Sequence, residues 1–148
     1  MTRYTVEQVT LAHFEDRVLL EQFAQFAREV ADAFQNKFDW KDFKIKWYAS
    51  QHRMMLCRRD GLPVGVMLSR LYPSIFDEKI MILFQDLLYA RPGTRAAKLL
   101  FDDFVDFGKA NADHVLTTIA SPTNIKPWSL EKLGFKMIEE RYRLETKR

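Results

Sequence analysis

A run of small and basic residues, Arg91-Pro92-Gly93-Thr94-Arg95-Ala96-Ala97-Lys98, follows the most apolar stretch of the chain, residues 80–90. Helical spacing begins at Thr94, so the run reads as a junction between a strand and a helix. A helix N-terminus offers unpaired backbone N–H groups and positive dipole charge, and a turn of small residues lets an anion approach that backbone. Gly93, Ala96 and Ala97 supply the small residues, and Arg91, Arg95 and Lys98 bring cations into the same two turns, as a pyrophosphate would require. An ordinary loop with Thr94 as helix N-cap has the same spacing, so spacing alone leaves both readings open.

The other polar candidates carry less. Cys57 lies in an apolar run with no His or Asp at a telling distance, which reads as a buried structural thiol rather than a nucleophile. His13, His52 and His114 form no ligand spacing with Cys57 or with carboxylates, so no zinc site is expected. Asp102, Asp103 and Asp106 read as a solvated helix face more readily than as a lure for a cationic substrate. Trp40, Trp47 and Trp128 read as core more readily than as an acceptor groove.

These residues must be positioned by strands and helices that alternate along the chain. Residues 3–9 alternate as a short edge strand. From Phe14 to Phe34 a stripe of Leu19, Phe23, Phe26, Ala27, Val30 and Phe34 recurs at helical spacing. Asp39 can cap a second helix carrying Trp40, Phe43 and Trp47, although Phe43, Ile45 and Trp47 also fit a strand, and the helix is preferred. Residues 52–58 and 62–71 flank Asp60-Gly61, a strong hairpin signal. Residues 80–89 suit a central strand covered on both faces, and residues 94–110 a helix with Ala97, Leu100, Phe101, Phe104 and Gly108 inward. A strand over 114–120, a short helix over 127–133 stopped at Gly134, and a terminal strand or pair of strands over 135–145 complete the order. The result is an α/β (α+β) chain: a mixed sheet with helices on its faces.

With 148 residues, 47% hydrophobic and 29% charged, one domain spanning 1–148 and an ample core are expected. The formal charge of +3 is dispersed, and the longest basic runs are pairs such as Arg58-Arg59, so nucleic acid is an unlikely partner. Gln85-Asp86 interrupts the most apolar stretch, which is too short to cross a bilayer, and the first residues lack the apolar run of a signal peptide. A single cysteine agrees with a cytoplasmic location.

The stretch from Ile80 to Phe135 resembles the GNAT superfamily of acetyl-coenzyme-A-dependent N-acyltransferases. Its hallmark, Arg/Gln-x-x-Gly-x-Gly/Ala, stands here as Arg91-Pro92-Gly93-Thr94-Arg95-Ala96, with Thr94 at the Gly position and a glycine one place early. Leu99-Leu100 and Phe104 match the family's helix, and Asn111-Ala112-Asp113-His114-Val115 the entry to its next strand. The most specific element is Leu130-Glu131-Lys132-Leu133-Gly134-Phe135, and Asp60-Gly61 with Val64-Gly65 is similar to the family's upstream hairpin.

The resemblance implies a GNAT-like, mostly antiparallel central sheet with helices on both faces, and acetyl-CoA as co-substrate with no metal. Backbone amides around Arg91, Gly93, Thr94, Arg95 and Ala96 would hold the coenzyme pyrophosphate, without Pro92, which has no N–H. The splayed strand edge near Leu88 and Tyr89 would pair with the pantetheine arm, assisted by Asn124. Asp86 matches the place of a carboxylate that takes the proton of the amine acceptor; its structural alternative is an ion pair with Arg91 or Lys79. Two departures stand out: a loop between Asp86 and Arg91 about three residues shorter than usual, and Leu130 where family members carry a Tyr that protonates the leaving thiolate. Ser129 and Tyr142 are substitutes off the matched position. The implied function is acetyl transfer to a primary amine of a small molecule or peptide, by a monomer or homodimer. The rival reading is a catalytically degenerate binding or structural module, such as a virus-encoded assembly or inhibitory protein.

Overall fold

A computed structural model describes residues 1–33, 51–118, 127–138, 144 and 146. Its elements are β1 (Tyr4–Gln8), α1 (Ala12–Glu15), α2 (Arg17–Ala33), β2 (Arg53–Arg59), β3 (Leu62–Pro73), β4 (Met81–Ala90), α3 (Ala96–Asn111), β5 (His114–Leu116) and α4 (Pro127–Lys132). The five strands form one sheet in the order β1-β2-β3-β4-β5, antiparallel except for the parallel β4–β5 pair. α3 is the crossover that a parallel pair requires.

The Asp60-Gly61 corner adopts φ of +51° and +85°, the left-handed pair that a tight hairpin between right-twisted strands demands. One long helix was expected from Phe14 onward; two form instead. Asp16 is extended, with φ −79° and ψ 118°, and its Oδ1 accepts the Val18 N–H at 2.9 Å, so it ends α1 and caps α2. The predicted strand over 135–145 also differs: residues 135–138 are coil, and residues 139–143 and 145 lie outside the described residues. So do the segment around Asp39, Trp40 and Trp47, and residues 119–126.

Each sheet face has its own core. α2 lays Phe23, Phe26 and Val30 on Met54, Leu56, Val66 and Tyr89. α3 lays Ala96, Leu100, Phe101 and Phe104 on Met55, Cys57, Val64, Met67, Leu83, Leu88 and Ala90, with Leu130 of α4 alongside. β4 is therefore covered on both sides, as its apolar run predicts. The start of α3 rests directly on the sheet at Gly65, where a Cβ would lie 2.7 Å from that of Ala96. Only glycine allows that approach.

Candidate active site

The register of β4 breaks where its polar residues stand. Leu68 of β3 faces Leu87 and Ser69 faces Gln85, so Asp86 is an extra residue, a β-bulge. The bulge reverses the alternation: Leu83 before it and Leu88 after it both point into the α3-side core. Among the described residues, the ladder between β4 and β5 ends at Phe84, one residue short of the Gln85-Asp86 step. There Gln85 bridges the gap with its side chain, donating from Nε2 to the Thr118 carbonyl at 3.4 Å and accepting from the Thr117 hydroxyl. At the far end Arg91 donates its N–H to the Val64 carbonyl at 2.8 Å. Antiparallel alternation then gives β3 the hydrogen bonds of Leu87, Tyr89 and Arg91, and turns the N–H and C=O of Leu88 and Ala90 to the opposite edge. The side chains of Leu88 and Tyr89 are buried in opposite cores, and the Tyr89 backbone belongs to the β3 ladder.

Asp86 projects on the α2 side of the sheet, into a polar cluster drawn from three strands or strand ends. Its Oδ2 accepts from His52 Nε2 at 2.9 Å and from Arg70 Nε at 2.8 Å, and its Oδ1 accepts from Arg70 Nη2 at 2.9 Å. A carboxylate only accepts, so Nε2 of His52 carries the hydrogen of this bond. Arg70 lies 5.8 Å from the ring centroids of Tyr72 and Phe84, and the hydrogen bond to Asp86 pushes its pKa up. The partners of Asp86 are thus Arg70 and His52, not Arg91 or Lys79. His52 shares strand parity with buried Met54 and Leu56; that alternation was the available signal for its side of the sheet.

The turn expected to bind an anion begins where β4 ends. Pro92 and Gly93 fill the two corner positions of a turn, with Gly93 at φ +76° and open space where a side chain would project. The Thr94 hydroxyl donates to the Arg91 carbonyl at 2.6 Å and accepts weakly from the Ala96 N–H at 3.4 Å. The Arg95 N–H points at the Tyr4 hydroxyl of β1, 3.3 Å away. The first helical bond of α3 runs from Leu99 to the Arg95 carbonyl. Among the described residues, nothing accepts from the N–H of Gly93 in the turn, or from those of Ala97 and Lys98, the orphan donors expected of a helix start.

Of the amides named from sequence, those of Gly93, Thr94, Arg95 and Ala96 converge on this turn, while that of Arg91 belongs to the β3–β4 ladder. The Arg91 guanidinium turns to α2 and grips Glu29 with two parallel bonds, Nε to Oε1 at 3.1 Å and Nη2 to Oε2 at 2.9 Å. Ala97, Lys98, Tyr4 and Glu29 are the members of this neighbourhood that the motif did not name.

The remaining candidates are accounted for locally. Cys57 is fully buried and burial pushes its thiol up to about 11, which suits a structural residue. His13 Nδ1 accepts the Thr10 N–H and His114 stands in β5. Asp102 pairs with Lys98 and Asp103 with Arg53, whose guanidinium lies 4.0 Å from the Phe107 ring centroid. Leu130 is a core side chain. Asn124 and Tyr142 lie outside the described residues, as do the side chains of Trp128 and Ser129. Among the described residues, no group of three His, Cys, Asp or Glu is placed to hold a metal ion, and no helix is long and apolar enough to cross a membrane.

No protein-family model matches the sequence, and no curated protein is similar to it in sequence. Solved structures are similar in fold. An acetyltransferase of Trypanosoma brucei, 12% identical, superposes with a TM-score of 0.72 over 97% of this chain and 100% of that one. A ribosomal-protein-alanine N-acetyltransferase from Brucella melitensis biovar Abortus 2308, 15% identical, gives 0.67 over 99% of each. An aminoglycoside N-acetyltransferase in complex with CoA, 13% identical, gives 0.68 over 100% of this chain and 97% of that one. These superpositions, and one on a GNAT family acetyltransferase of Staphylococcus aureus, 11% identical, with a TM-score of 0.65 over 95% of this chain and 98% of that one, give this chain the fold of the GNAT acetyltransferases.

Proposed function

We propose that the chain is an N-acetyltransferase, acting as a single unit, that moves an acetyl group from acetyl-CoA to a primary amine of a small molecule or peptide by direct attack. One observation carries the reading: in this fold, the bulge at Asp86 sets a carboxylate–imidazole pair at the head of the same strand edge that ends in a turn of open backbone amides. The residues present fit the coenzyme. Gly93, Ala97 and Lys98 have N–H groups without partners among the described residues, those of Arg95 and Ala96 are weakly held, and the Ala90 backbone faces the edge where an extended amide-bearing arm can add as a strand. Bound acetyl-CoA supplies the activated acyl group.

The chain's own residues do the rest. Asp86 and His52 act together as proton acceptor for the amine, with Asp86 fixing the imidazole tautomer and Arg70 fixing Asp86. The Gly93–Lys98 turn anchors the phosphates.

A second reading, a GNAT-shaped binding module without catalysis, is favoured by one observation: the position of the usual acid is Leu130, a core side chain. Mass spectrometry of a panel of primary amines incubated with acetyl-CoA and the protein separates the two. Acetylation that falls with Asp86→Asn and His52→Gln supports the enzyme, whereas saturable CoA binding with no acetylated product across the panel supports the module.

A further inference from the structure

The Arg91–Glu29 pair joins the two halves of the site. Arg91 opens the cradle, yet its guanidinium is turned away from the amides and held in a fork by a carboxylate of α2. Neither partner is sealed from water: the side chains are 39% and 34% exposed. Glu29 sits on the turn of α2 that carries Phe26, whose ring packs 5.8 Å from that of Tyr89. The pair therefore lies over the end of β4, beside the Pro92-Gly93 corner. Burial, with Glu29 nearby, pushes the Tyr89 hydroxyl pKa up and Arg91 pulls it back, which places all three groups in one neighbourhood.

A guanidinium recognises planar pairs of anionic oxygens, and a carboxylate and a phosphate fill the same fork. Glu29 fills it now with one negative charge. A diphosphate on the adjacent amides would bring more charge beside the residue that carries this guanidinium, Arg91 being next in sequence to the Pro92-Gly93 corner. We propose that Glu29 is the resident counter-ion of Arg91, displaced from it when the coenzyme's diphosphate binds, so that Glu29 sets the affinity of the site for its coenzyme. This rests on the coenzyme reading above and adds a residue, on the helix that covers the Asp86 side of the sheet, to the determinants of coenzyme binding. Arg91 then serves the phosphates through its side chain, since its backbone N–H belongs to Val64.

The test is a double-mutant cycle read by calorimetric titration of CoA into the full-length protein. Four forms are compared: wild type, Glu29→Gln, Arg91→Gln and the double variant. Displacement predicts that Glu29→Gln binds CoA about fivefold tighter, the scale of one partly exposed ion pair released from competition. Arg91→Gln should bind more weakly, and Glu29→Gln should have no further effect in the Arg91→Gln background. Equal tightening in both backgrounds would mean that Glu29 acts only as a distant negative charge, and would overturn the proposal. Unchanged or weakened binding by Glu29→Gln would make the pair a fixed strap and overturn it as well. Should Arg91→Gln fail to fold, Arg91→Lys keeps the charge but loses the fork, and should weaken CoA binding while blunting the effect of Glu29→Gln. A wild type that binds no CoA removes the coenzyme reading itself; a wild type that binds CoA with a flat cycle removes only the role of Glu29.

Discussion

Replacing Gly65 with alanine should damage the proposed coenzyme cradle from the opposite side of its helix start. Gly65 lies mid-sheet, paired with Cys57 on one side and Ala90 on the other. An added Cβ would stand 2.7 Å from the Ala96 Cβ, 2.9 Å from Leu100 Cδ1 and 3.2 Å from the Tyr89 carbonyl oxygen. Ala96 has no flexible end to yield, and Ala96 and Leu100 are both fully buried, so the first turn of α3 must lift off the sheet. Overpacking of this kind costs about 2–3 kcal/mol, a fall of about 6–10 °C in Tm at this chain length. The same movement displaces the Ala97 and Lys98 amides, so CoA affinity should drop about tenfold, the scale of one charge-assisted hydrogen bond. Gly61→Ala is the control. Its φ of +85° makes alanine strained, at about 1 kcal/mol, but no described residue lies within 4 Å of the new Cβ and the cradle is untouched. Thermal unfolding and CoA titration of both variants decide the matter. An unchanged Tm for Gly65→Ala would refute the steric argument, and a lowered Tm with wild-type CoA affinity would refute the link from this contact to the cradle.

Other expectations follow from single contacts. Once an acceptor amine is in hand, Asp86→Asn and His52→Gln should each lower kcat about 10²- to 10⁴-fold with CoA affinity retained; a normal kcat in either would remove that residue from proton transfer. Ser69 Oγ is buried with no hydrogen-bond partner among the described residues, so Ser69→Ala should leave urea stability unchanged or raise it by up to about 1 kcal/mol, and a clear loss would reveal a bond to Oγ. Folding raises the Cys57 thiol from 9.0 to about 11, so the neutral thiol is favoured in the folded state. Its contribution is whole below pH 9.0 and is lost as pH rises towards about 11, where the unfolded thiol ionises first. Cys57→Ala should flatten that part of the stability profile measured by denaturant titration.

What the sequence made legible was what depends on neighbours along the chain. The Asp60-Gly61 hairpin, the inward face of α3, the doubly covered β4 and the glycine turn at Gly93 follow from spacing and residue type alone. The break at Asp16 was hidden because Phe14 and Phe23 keep the apolar stripe on either side of it, while the cap that divides the helices is one side-chain hydrogen bond. The bulge was hidden for a related reason: Gln85-Asp86 reads as a polar interruption of an apolar run, and only the register with β3 shows that Asp86 is the extra residue. The partners of Asp86 and Arg91 are contacts between distant segments. His52 and Arg70 lie 34 and 16 residues from Asp86, and Glu29 lies 62 residues from Arg91, so no local pattern announces them.

The central claim is a coenzyme site at the end of β4, and a thermal-shift titration of the full-length protein with acetyl-CoA tests it most directly, with dephospho-CoA as comparison. Occupancy near 100 times the dissociation constant should stabilise the folded state by about 2.7 kcal/mol, seen as a saturable rise in Tm of several degrees. A cooperatively unfolding protein whose Tm stays fixed up to millimolar acetyl-CoA would contradict the account.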